Sequence, residues 1–161
     1  MSPKLIANLF DAHSPALLLY ARQFGCCAED MVQEAFLKLV TLRESPRDVV
    51  PWLYRVVRNG ALDQRKMGQR RARREQVVAQ VTRWFVESEV DGLDAEAAAK
   101  ALQDLPVEQR EIIVAHLWGG LTFEQIGEVA STSASTCYRR FQAGIATLRA
   151  RLGLPCTNQP I

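Results

Sequence analysis

From Leu5 to Leu148 the apolar residues of this chain return every three to four positions, and nowhere do they alternate singly between turn signals. That period belongs to helices with one buried face, so the sequence predicts an all-α fold without strands. Leu5, Ile6, Leu9 and Phe10 form the first stripe. Ser14-Pro15 then has the form of a helix start, a capping residue followed by proline in the first turn. It predicts a fresh helix carrying Leu17, Leu18, Ala21 and Phe24 and ending at Gly25. Met31, Val32, Ala35, Phe36, Leu39 and Val40 make the next stripe for burial, with Asp30, Gln33, Glu34 and Lys38 on the opposite face. After the polar loop 43–48, Pro51 opens a helix that buries Trp52, Leu53, Val56, Val57 and Ala61.

The stripe fades between residues 70 and 99, and the acidic stretch 87–94, which contains Gly92, reads as a mobile linker. Helix resumes over 95–105. Pro106 opens another, with Ile112, Ile113 and Leu117 inside and Gly119-Gly120 as its stop. The expected organisation is two small helical domains, 1–75 and 99–152, joined by a flexible linker, 76–98. The tail 153–161, with Pro155 and Pro160, is expected to be unstructured.

Net charge is uninformative in total and informative in distribution. Twenty Lys and Arg stand against eighteen Asp and Glu in 161 residues. Yet residues 55–83 hold nine basic residues (Arg55, Arg58, Arg65, Lys66, Arg70, Arg71, Arg73, Arg74, Arg83) and only Asp63 and Glu75 as acids. Residues 84–111 hold eight acids against Lys100 and Arg110. Like charges repel within a segment, so each block needs a partner of opposite sign. The basic block is rich in arginine, whose planar fork of donors suits phosphates and base edges, and this points to nucleic acid.

The last third carries the sharpest local signal. Thr122-Phe-Glu-Gln125 is a capping box that starts a short helix with Ile126 and Val129 inside. Ser131-Thr-Ser133 makes a tight turn, and Ser133 caps a second helix with Cys137, Phe141, Gly144 and Leu148 on one face. Ser135, Thr136, Tyr138, Arg139, Arg140 and Gln142 fall on the other face, and no acid occurs from Ser133 to Arg151. A short capped helix, a three-residue turn and a second helix with a donor-rich face describe a helix-turn-helix built to read DNA.

Other chemistry lacks its residues. No glycine-rich phosphate loop follows a strand, and no nucleophile–base constellation is present, so the expectation is a protein that is not an enzyme and takes no small-molecule substrate or cofactor. Cys26 and Cys27 are adjacent, Cys137 and Cys156 are far away, and His13 and His116 are remote from each other, so no metal site is expected and the thiols read as idle in a reducing cytoplasm. No apolar run is long enough to insert in a membrane, and residues 1–9 lack the layout of a signal peptide, which gives a cytoplasmic expectation.

Two blocks resemble a known family. Residues 28–36 (AEDMVQEAF), 52–59 (WLYRVVRN) and 63–65 (DQR) are similar to region 2 of bacterial sigma factors of the extracytoplasmic-function group. Residues 105–111 (LPVEQRE), 120–126 (GLTFEQI) and the helix after Ser133 resemble their region 4. The resemblance implies a dissociable subunit that binds core RNA polymerase, recognises the −10 and −35 promoter elements and helps open the duplex. An anti-sigma factor that wedges between the domains is implied as a further partner. Asp30, Gln33 and Glu34 would face the polymerase. Arg55, Arg58, Asn59, Arg65, Lys66, Arg70 and Arg71 would meet the −10 region, Asn59 through either a base edge or the backbone. Ser135, Thr136, Tyr138, Arg139, Arg140 and Gln142 would read the −35 element, with either arginine as the base contact. Trp52 and Tyr54 are candidates to stack on bases, although Trp52 also lies on the buried stripe.

The chain departs from the family pattern at Gly60, Gly127, Ser131, Thr132 and Cys137. Ser131 stands where glycine is usual, at a cost of about 1 kcal/mol if that residue is left-handed. The alternative reading is a stand-alone helix-turn-helix repressor or activator with a sensing front half. The acidic face 30–34 beside the arginine helix, for which a repressor has no use, separates the two.

Overall fold

Seven helices, and no strand among the described residues, make up the computed structural model, which describes residues 2–25, 27–72 and 95–154. Side chains of 68–72 and 95–96 are excepted. Arg73, Arg74, Cys26, Cys156 and most of the expected linker and tail lie outside the described residues. Helix resumes at Ala95, as the pattern over 95–105 implies, so residues 95–98 of the range assigned to the linker are helical.

α1 (Pro3–Arg22) is capped by Ser2, whose side chain accepts a bond from the Leu5 amide, with Pro3 in its first turn. It runs unbroken through Ser14-Pro15, so the expected restart there does not occur. Proline removes one helical hydrogen bond. Burial of Leu17, Leu19, Tyr20 and Ala21 just beyond it offsets that loss, and packing overrides the local breaker. α2 (Ala28–Thr41) and α3 (Val49–Ala72) complete the first bundle, with α3 continuous through Gly60. Met31, Val32, Ala35, Phe36 and Leu39 are buried as expected, but Val40 is 55 % exposed.

α4 (Ala95–Gln103) packs on α7 (Ala134–Arg151), and α5 (Val107–Leu117) and α6 (Phe123–Ala130) close the second bundle. Pro106 precedes α5, and Gly120, at φ 66°, follows it. Ile112 and Ile113 are buried, whereas Leu117, expected inside, is 55 % exposed at the helix end.

The two bundles are not held apart. α1 packs on α5 and α3 on α6, and a single core runs from Leu17 through Leu53 and Val57 to Ile113 and Phe141. At this seam Gly119 is required by close approach. A Cβ there would lie 2.5 Å from the hydroxyl of Tyr54 and 2.5 Å from the Ala115 carbonyl oxygen. The two helical domains expected from the sequence are thus docked on one another across this seam, and the expected linker lies mostly outside the described residues.

Candidate nucleic-acid and polymerase interface

The helix-turn-helix forms as its local chemistry dictates. Gln125 N donates to Thr122 Oγ1 at 3.3 Å and Thr122 N donates to Gln125 Oε1 at 3.0 Å, so both halves of the capping box are made. Ser133 Oγ accepts from Thr136 N at 3.2 Å and donates to Thr136 Oγ1 at 2.9 Å, capping α7. Between them Ser131 adopts φ 55°, ψ 48°, the left-handed conformation that favours glycine. The Thr132 amide closes the turn on the Gly127 carbonyl at 2.9 Å. A Cβ on Gly127 would come within 2.7 Å of the Thr132 oxygen, so glycine at 127 is what lets this turn close tightly.

α7 turns Cys137, Phe141 and Gly144 inward, and burial pushes the Cys137 thiol up, consistent with an unreactive side chain. Ser135, Tyr138, Arg139 and Gln142 are exposed, and Thr136 and Arg140 are half-buried. Tyr138 packs its ring edge on Phe123 with centroids 5.5 Å apart, and Phe123 stacks on His116 at 4.4 Å. The His116 Nδ1–H donates to the Leu121 carbonyl at 2.7 Å, which fixes the ring beneath this face. The outer surface of α7 is therefore a donor-rich patch on a rigid aromatic base.

The basic face of α3 is divided. Asn59, Arg65 and Lys66 are exposed, and Lys66 lies 4.0 Å from Asp63. Arg70 and Arg71 are on the last turns of α3, but their side chains lie outside the described residues. The other two arginines are already engaged by the second bundle. Arg55 lies 3.6 Å from Glu128 at the surface. Arg58 donates from Nε to Glu111 Oε1 at 2.5 Å, and its side chain is only 20 % exposed. Tyr20 donates to the same oxygen at 2.6 Å. Burial pulls the Arg58 guanidinium down, but the Glu111 carboxylate more than offsets this and leaves it raised. Burial, then Glu111, holds the Tyr20 phenol well above its ordinary value. Arg58, expected to meet the −10 region, is thus paired with Glu111 in this arrangement.

Tyr54 is fully buried, with its ring 4.8 Å from that of Tyr20, so it is not available to stack on a base. Trp52 packs partly buried against the core, as its place on the apolar stripe indicated. Arg110, counted only as a charge in the sequence, reaches across the seam to the Gln23 carbonyl at 3.1 Å and to the Gln103 carbonyl at the end of α4. Burial, aided by the like charge of Arg65, lowers its guanidinium.

On α2, Asp30, Gln33 and Glu34 are all exposed on one face. Glu34 pairs with Lys38 at 2.7 Å across one helical turn, an exposed pair worth about 0.3–0.5 kcal/mol. Beside it the sequence reading missed an apolar strip. Gln33, Phe36, Leu37 and Val40 line an open groove of about 300 Å³ with Phe10 of α1, and Leu37 is 65 % exposed. The signal was present only in part: Leu37 falls off the buried stripe, but a single exposed apolar residue is ordinary, and only the fold brings Phe10 and Val40 beside it into a contiguous strip.

Comparisons with known proteins fit this layout. A family model for sigma-70 region 2 matches residues 9–72, which take in most of α1 with α2 and α3, and one for sigma-70 region 4 matches residues 86–148, which take in α4 to α6 and most of α7. The sigma factor SigL of Mycobacterium tuberculosis, an extracytoplasmic-function RNA polymerase sigma factor, is 29% identical over 161 residues, covering 92% of this chain and 89% of its own length. The RNA polymerase sigma factor CarQ of Myxococcus xanthus is 27% identical over 157 residues, covering 91% and 88%. Among solved structures, the sigma factor RpoE of Bartonella quintana, crystallised with the anti-sigma factor NepR, superposes with a TM-score of 0.78 at 22% identity over 94% of this chain and 98% of that one. With both sigma-70 regions present in order, each filled by its own helical bundle, the chain belongs to the extracytoplasmic-function sigma factors, which bind core RNA polymerase and direct promoter-specific transcription initiation.

Proposed function

We propose that three faces of the chain divide this task. The α2 face bearing Asp30, Gln33 and Glu34, extended by Leu37 and Val40, docks on core polymerase: its charges attract a basic partner and repel DNA. The cations of α3, Arg55, Arg58, Arg65, Lys66, Arg70 and Arg71, together with Asn59, hold promoter phosphates around the −10 element. The start of α7, with Ser135, Thr136, Tyr138, Arg139, Arg140 and Gln142, reads the −35 element in the major groove. Residues 1–75 and 99–152 act as the two functional units. The chain supplies no bond-making chemistry of its own and works in the cytoplasm beside the polymerase. An anti-sigma protein, like the one crystallised with the Bartonella relative, is a further expected partner.

The observation that carries this reading is the outer face of α7, on a capped and turn-locked helix with no acid from Ser133 to Arg151. Such a face suits the negative edge of a duplex. The test separates the faces. Glu34→Lys abolishes co-purification with core polymerase while helicity is kept. Arg139→Ala or Arg140→Ala retains polymerase but lowers output from a promoter with an intact −35 element by about fivefold, the lower end of a bidentate base contact. Polymerase binding unchanged by Glu34→Lys contradicts the docking face, and unchanged promoter use by both arginine variants contradicts the orientation of α7.

A further inference from the structure

α7 is fixed in rotation by what it buries. Cys137, Phe141 and Gly144 face inward. A Cβ on Gly144 would lie 2.7 Å from Ile113 Cδ1 and 3.3 Å from Gln109 Cβ, so α7 lies close on α5 and cannot roll without a clash. Each residue turns a helix by about 100°. Counted from the inward direction, Arg139 points about 190° away, straight out, whereas Arg140 points about 70° to one side. The exposures agree, with Arg139 exposed and Arg140 half-buried. Neither forms an ion pair among the described residues.

The face around Arg139 is otherwise short. Ser135, Ala143 and Ala146 are exposed on the same side, with Gln142 at its margin. The two alanines reach no further than Cβ, so they do not hold the helix off the floor of a groove. An α-helix, about 10–12 Å across with its side chains, fills a major groove about 12 Å wide. A side chain on its leading edge then meets base edges, and one on its flank meets the phosphate wall. Arg140 shares its flank with Thr136, whose hydroxyl is engaged by Ser133 Oγ at 2.9 Å. On the other flank Tyr138 is braced against Phe123. Arg139 alone of the two arginines occupies the leading edge.

We infer that Arg139 sets the −35 specificity, its guanidinium pairing with O6 and N7 of one guanine, while Arg140 holds a backbone phosphate and reads no base. The inference rests on α7 being the −35 reader and divides the labour of its two arginines. Guanine is the base whose major-groove edge offers two adjacent acceptors to the planar fork of donors. Adenine offers one acceptor beside a donor, which faces the fork with the wrong sign. A phosphate is the same under every base, so Arg140 adds affinity uniformly.

The test is transcription by core polymerase reconstituted with the full chain, on a promoter found by transcript mapping and on versions with each −35 base pair changed in turn to the other three. With the wild type, replacement of one guanine is expected to lower output by about fivefold or more. Arg139→Ala erases that preference, so that promoters with and without the guanine give equal output, and preferences elsewhere remain. Arg140→Ala lowers output from all the promoters by a similar factor, keeps the preference, and makes promoter binding less salt-dependent by about one released counterion. Should Arg140→Ala not fold, Arg140→Lys takes its place. A phosphate accepts a point charge, so output and preference then stay as in the wild type, and a lost preference contradicts the division. A preference kept by Arg139→Ala, or erased by Arg140→Ala instead, overturns the inference and leaves the −35 face in place. Both alanine variants transcribing as the wild type from every promoter overturns the −35 reading of α7, and the inference with it.

Discussion

Replacing Ser131 by glycine is expected to stabilise the protein. Ser131 sits at φ 55°, ψ 48°, a conformation that costs an L-residue about 1–2 kcal/mol. Its hydroxyl makes no hydrogen bond among the described residues, so nothing local offsets that strain. Glycine removes the strain but gives the unfolded chain more freedom, which returns about 0.5–1 kcal/mol. The net gain is about 0.5–1 kcal/mol, or about 1–4 °C in Tm for a chain of this size. Thermal melting followed by circular dichroism measures it directly. Ser131→Ala is the control, since it keeps the Cβ and should not exceed the wild type. A Ser131→Gly variant that melts at or below the wild type, or an alanine variant that matches the glycine one, refutes the idea that backbone strain at this turn is what serine costs. If the turn is also what orients α7, the glycine variant retains promoter use.

Three further outcomes follow from the same geometry. Gly127→Ala brings a methyl within 2.7 Å of a backbone oxygen and should destabilise by about 1–3 kcal/mol, read as a lower denaturation midpoint. Leu37→Glu, on an exposed site, should leave stability within about 0.5 kcal/mol. It should nevertheless weaken polymerase binding, as a pull-down against core enzyme would show. Tyr20 is held above its ordinary value in the fold, so its contribution is fully present below about pH 10 and is lost as the pH rises through the raised folded value. Denaturant titrations across the alkaline range should show stability falling, with a shallower fall in Tyr20→Phe; identical slopes would remove Tyr20 as the cause.

What was legible in the sequence was whatever short-range chemistry decides. Thr122 with Gln125, Ser133 before α7, Pro106 before α5 and Gly120 after it each act within a few residues, and each does in the fold what its local pattern implied. Pro15 misled because its breaker signal is equally local, whereas the energy that overrides it comes from Leu17 to Ala21 packing on distant helices. Val40 and Leu117 fit their helical stripes but sit where no described element covers them. Glu111 was the least legible. In the sequence it is one of eight acids in a run, while its partners lie 91 and 53 residues away and meet it only when the bundles dock. Tyr54 is similar: aromatic in a DNA-associated motif, yet committed to the seam by Tyr20 and Gly119. Of the sites, the α7 face could be read because helical spacing alone defines it. The state of Arg58 could not, because charge pairing across a seam leaves no periodic trace.

The central claim is that this chain selects promoters only as part of the transcribing enzyme, and it is tested most directly by mapping transcript starts made in vitro by core RNA polymerase with and without the purified protein on fragmented genomic DNA. The account predicts a set of new starts sharing one −35 and one −10 word, abolished by Glu34→Lys. Tight sequence-specific duplex binding by the protein alone, with no new starts from any fragment, would contradict it.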